Sequence, residues 1–171
     1  MKRLSKLRKL TEYLSAFRLE DWPGIVPVRV VDNENATSQL SKAYGDQLLV
    51  ALPEARDAGN TTDSFRESVS AAFFALAKIN GPARTVKLAD ETYLRLLEVS
   101  QAILDRLEED LTGGETGMPC PLLAGLSLTD VNVVPEYSIF GGWSGWSVEI
   151  TLDWSPAARY RYPGAMEWTA G

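Results

Sequence analysis

Histidine is missing from the chain altogether, and cysteine occurs once, at position 120. The first absence removes Ser-His-Asp and Cys-His nucleophile systems and every histidine metal site in one step. The second rules out an intrachain disulfide and fits a reducing compartment. Long apolar runs are lacking too. No stretch approaches the roughly 18 apolar residues of a transmembrane helix, and the basic residues from Lys2 to Lys9 are not followed by the continuous apolar segment of a signal peptide. No membrane association and a cytoplasmic setting are expected. Positive charge is scarce beyond the start of the chain. Residues 1–18 hold Lys2, Arg3, Lys6, Arg8, Lys9 and Arg18 against Glu12, a net of +5, while the whole chain carries −6, so residues 19–171 carry −11. That acidic body argues against nucleic acid as the main ligand, because phosphate binding needs clustered Lys and Arg.

What is present is ordinary globular material, 171 residues with 45% apolar and 23% charged side chains, enough for one domain that buries roughly 70% of its unfolded surface. The clearest pattern is at 126–154. Trp146, Val148, Ile150, Leu152 and Trp154 alternate with Ser147, Glu149, Thr151 and Asp153, the period of a half-buried strand. Val131, Val133, Pro135, Tyr137 and Ile139 repeat it, and the break at 140–145 (FGGWSG) suits a reversal, so a long antiparallel hairpin is expected.

Upstream, Leu4, Leu7, Leu10 or Thr11, Leu14 and Phe17 mark one stripe of an N-terminal helix. Its basic residues form either a solvated outer face or an arm for a membrane surface or nucleic acid. Residues 25–31 and 47–53 read as short strands, 32–45 and 54–63 as polar loops. The run 65–79 has the alanines of a helix, yet Val69, Ala71, Phe73, Ala75, Ala77 and Ile79 share one strand face. Strand is the reading taken, since it completes a sheet. Residues 90–111 predict a helix with the stripe Tyr93, Leu96, Leu97, Ser100, Ile103, Leu104, Leu107 and Leu111, Asp90 as N-cap, Glu91 paired with Arg95, and Gly113 or Gly114 as the stop. The fold class expected is α+β: an antiparallel sheet of four to five strands, with the N-terminal helix and the long helix packed on one face. Residues 1–154 form the domain, and 155–171 are a tail expected to be partly disordered.

Candidates for chemistry are weak. The glycine loop at 113–117 follows a helix instead of opening one and lacks a Walker ending. Cys120 has no histidine to activate it. Glu136, Glu149 and Asp153 offer carboxylates for glycoside hydrolysis, but acids are abundant enough for chance pairs. No catalytic, cofactor or metal residue is assigned. Candidate partner contacts are Phe140 and Trp143 at the hairpin tip, the latter open between contact and local packing. Lys2, Arg3 and Lys6 form a second group. The third is Glu108, Glu109 and Asp110, which crowd the negative end of the helix dipole and are either solvated or offset by a basic partner.

The order of elements, together with 47–53 (QLLVALP), the run 68–78, the helix 93–110 and 131–152 with Gly145-Trp146 opening the last strand, resembles the tail-completion or tail-terminator proteins of phages and prophages. The likeness spans about residues 5–153. It implies a non-enzymatic, virion-associated structural protein whose subunits form a ring at the tail end, where the tail tube meets the head, with itself and with tail-tube or connector proteins as partners. The basic start and the 155–171 tail depart from that pattern. The alternative from another class is a cytoplasmic adaptor or ligand-binding domain.

Overall fold

The computed structural model describes residues 2–57, 67–79 and 86–154, and the side chains of 6–55, 68–79 and 89–153. Its architecture is α+β: three helices and a mixed six-stranded sheet. The elements run α1 (Lys2–Ala16), β1 (Pro27–Val30), α2 (Asn33–Leu40), β2 (Gln47–Ala51), β3 (Glu54–Asp57), β4 (Glu67–Lys78), α3 (Val86–Thr112), β5 (Leu126–Ile139) and β6 (Trp143–Trp154). The run at 67–78 is a strand, as its alternation suggested. The tail 155–171 and most of the expected loop at 54–63 lie outside the described residues.

The sheet order is β1-β2-β4-β6-β5. Four of its five pairings are antiparallel, but β1 and β2 are parallel, which corrects the all-antiparallel expectation. Parallel neighbours need a crossover, and the segment read as a polar loop supplies it as α2. Asp32 caps that helix, its carboxylate accepting the Asn35 amide at 2.7 Å, and Ala36 and Leu40, one turn apart, face inward. Part of the second expected loop is also strand. Between Val50, opposite Phe73, and Glu54, opposite Ser70, the chain takes four steps against three on β4. β2 and β3 thus follow one edge of β4 with a bulge at Leu52-Pro53, where proline has no amide to give to a ladder.

One face of the sheet carries Leu48, Val50, Val69, Ala71, Phe73, Val148, Ile150 and Leu152 against Leu10, Tyr13, Leu14 and Phe17 of α1 and Leu96, Val99, Ile103 and Leu107 of α3. Both helices therefore pack on one face, as expected. Among the described residues the opposite face is covered at one end only, where α2 closes over Val30, Leu49, Leu76 and Trp143. α3 begins four residues before Asp90, so Asp90 lies inside the helix and does not cap it. Its stripe holds except at Leu97, which is exposed, and Val99 joins the core. Arg95 spans to Asp46 with two bonds of 2.7 and 2.8 Å; this fixes α3 to the turn before β2. Gly113, left-handed with φ 88°, ends the helix by returning its amide to Glu109 at 2.7 Å.

Candidate interaction surface

Of the two residues proposed at the hairpin tip, Trp143 is core and Phe140 packs at its margin. Gly142 donates to the Ile139 carbonyl at 3.1 Å across Phe140 and Gly141 (φ 47° and 83°), a tight turn inside a three-residue connection, since Ile139 pairs with Trp143. Trp143, 1% exposed, is buried under α2. Phe140 is half-buried, its ring edge-on to Phe74 at 5.5 Å. A left-handed phenylalanine costs about 1–2 kcal/mol, and packing of the ring against Phe74 and the α2 cluster offsets it. Trp143 is thus local packing and not a contact anchor. Trp146, assigned to the core face, is half-buried there, its indole donating to the Tyr93 carbonyl at 2.8 Å.

The acidic group at the end of α3 divides. Asp110 accepts both the Tyr13 hydroxyl at 2.8 Å and the Arg106 guanidinium at 3.0 Å on the same oxygen, so a counter-charge is supplied from within the chain. Glu109 adds its field to Arg106, whose pKa is raised, first by the Asp110 hydrogen bond. Glu108 is exposed and makes no ion pair among the described residues. Burial, then the hydrogen bond to Asp110 and its charge, push the Tyr13 phenol well above its ordinary value. A neutral phenol donates a proton-bearing bond and does not act as a base. The cluster locks α1 to the end of α3. Sequence reasoning missed it, although Tyr13 follows Leu10 by three residues and Arg106 precedes Asp110 by four.

Of the basic group, Lys6 is half-buried, while the Lys2 and Arg3 side chains lie outside the described residues. Arg8 and Lys9 are exposed, Arg8 holding Glu12 at 3.0 Å. The glycine loop at 113–117 is a helix stop followed by a short turn. Glu136 accepts the Ser147 hydroxyl at 2.7 Å and stands opposite Gly145, four positions along β6 from Glu149. At about 3.3 Å per residue that is roughly 13 Å, beyond the ~5–9.5 Å of a glycosidase pair. Among the described residues no group of three or more His, Cys, Asp or Glu could hold a metal ion, and no helix is long and apolar enough to cross a membrane.

What the sheet leaves open is more extensive than the tip. Beyond α2 its outer face forms a trough of about 520 Å³ over Ser70 and Ala72, between Leu52 and Glu54 on one side and Asp130 and Asn132 on the other, with Glu149 and Thr151 on the floor. Beside it runs β5, a 14-residue edge strand whose outer side pairs with no strand among the described residues. Val131, Val134 and Tyr137 are 38%, 37% and 70% exposed along it, and Tyr137 leans on Tyr93 with ring centres 5.7 Å apart. The outward set Ser147, Glu149, Thr151 and Asp153 was readable from alternation; the neighbours that make a trough of it were not. No protein-family model matches the chain, and no curated protein is found to be similar to it.

Proposed function

We propose that this chain is a non-enzymatic structural subunit of a phage or prophage tail, acting by self-association at the tail end or the head–tail junction. The observation that carries self-association is β5. A long edge strand with open backbone groups is a template for another chain, and single-copy proteins blunt such edges by keeping them short or covered. Here 14 residues are presented with three exposed large apolar side chains. Pro135 and the irregularities at 128–130 and 136–139 interrupt continuous strand addition, so contact through side chains is favoured over open-ended stacking. The assignment to a phage tail rests on the resemblance in layout over residues 5–153.

A small-molecule reading draws on the trough, whose volume falls in the range of about 300–1,000 Å³ for ligand sites. Such sites bury most of their ligand in apolar walls. This one lies on an open sheet face lined by Ser70, Thr151, Asn132 and carboxylates, which suits a broad polar contact better. Native mass spectrometry across concentration, with and without isolated tail tubes, tests the proposal. A multi-copy species or tube-bound protein is expected, and a single copy under every condition defeats it.

A further inference from the structure

We infer that the half of the outer sheet face left open among the described residues seats the basic first helix of a second copy, an inference that rests on the self-association reading above. The seat is built by the fold. α2 closes one half of the face, and where it ends the strands carry Ala51, Ser70 and Ala72, side chains too short to fill the space between their neighbours. Exposed Glu54, Asp130 and Glu149 stand around this floor on β3, β5 and β6, and no Lys or Arg lines it among the described residues. Leu52, 42% exposed, gives one rim an apolar surface.

The complementary surface is on the same chain. On α1 Arg8 and Lys9 are adjacent and exposed, in a segment whose sequence is basic. The Arg8–Glu12 pair is 82% and 50% exposed, so it is weak, salt-screened and readily exchanged for a partner's carboxylate. The +5 of residues 1–18 faces the −11 of the remainder, and opposite fields of this kind select a partner and its orientation. Intramolecular pairing is blocked by geometry. α1 packs on the face that holds Phe73, Val148 and Ile150, whereas the trough opens on the other. A helix for this seat therefore comes from another molecule.

The full chain is compared by sedimentation velocity and native mass spectrometry with a trough variant, D130K/E149K, and a helix variant, R8E/K9E. All four side chains are exposed, and thermal melts check that each variant folds; E149K alone replaces a trough variant that does not. Each variant alone is expected to self-associate at least about tenfold more weakly, and an equimolar mixture of the two to recover, since each then offers the other an opposite charge. If the wild-type chain associates and both variants associate equally well, the pairing is overturned while self-association stands. Weakened variants that fail to recover on mixing also overturn it, since the two surfaces then do not face each other. A wild-type chain that never associates removes both readings.

Discussion

Trp143 and Trp146 are three residues apart on one strand and therefore on opposite faces of the sheet, and their environments rank them in the reverse of the order that alternation suggests. Trp143 is sealed under α2 at 1% exposure, so Trp143→Ala leaves a large cavity and is expected to cost about 3–5 kcal/mol. Trp146 keeps one side near solvent and loses its bond to the Tyr93 carbonyl and its contact with that ring, 6.1 Å between centres; an expected loss of about 0.5–3 kcal/mol follows. Denaturant titration of the two variants checks the order. Tyr13 makes a second residue-level case. Tyr13→Phe removes the bond to Asp110 but leaves Arg106 in place, for an expected cost of about 1 kcal/mol at neutral pH. The phenol's pKa is raised above 10.0 in the fold. A raised value favours the neutral form, so its stabilising share is full below the unfolded pKa and is lost as pH rises beyond it. Unfolding free energies measured from neutral to strongly alkaline pH are expected to fall less steeply above pH 10 in the phenylalanine variant.

At the scale of elements, β4 and β6 are held by backbone fit against α3. Gly145 lies opposite Leu76 on β4, at φ 155°, and a Cβ there would strike the Ala75 carbonyl and the Leu96 side chain. Gly145→Ala is expected to cost about 1–3 kcal/mol through overpacking, read from the melting midpoint. The exposed edge behaves differently: Val134→Lys on β5, on the same face as Asn132 and Glu149 of the trough, is expected to shift stability by no more than about 0.5 kcal/mol while weakening self-association, because a lysine beside the trough repels the basic helix. The hairpin and β4 are legible because alternation is a local property of the chain: Val148, Ile150 and Leu152 and the set from Val69 to Ala77 face the core as it predicts. On β5 the alternation misleads, since Val131 and Tyr137 are exposed at the sheet edge and Ile139 packs with the cluster under α2. The misses share one cause. α2 is eight residues long with only Ala36 and Leu40 buried, too short and polar for its period to stand out, and its start is marked by a single cap at Asp32. Without α2 there is no crossover to make β1 and β2 parallel, so an antiparallel sheet is the expectation, and nothing local shows what covers Trp143. The Tyr13–Asp110 bond spans 97 residues, a separation that no local pattern encodes.

For the whole molecule, the placement of α1 and the trough on opposite faces of one sheet decides which assemblies are open to it. A two-fold dimer uses the same patch on both copies. Reciprocal seating would require each copy to lie on both faces of its partner at once, which two rigid bodies cannot do. Helix-into-trough contacts therefore run head to tail, and such contacts close into a ring or continue as a filament. The charges that guide the contact are exposed, so screening over about 8 Å at physiological ionic strength weakens it directly. Native mass spectra and sedimentation at increasing salt are expected to show a discrete species of more than two copies that gives way to single chains, with unchanged melting behaviour because the cores are untouched. A salt-insensitive species of two copies would place the contact on a self-complementary patch instead, and the apolar margin of β5, at Val131, Val134 and Tyr137, is the surface on which it would then be sought.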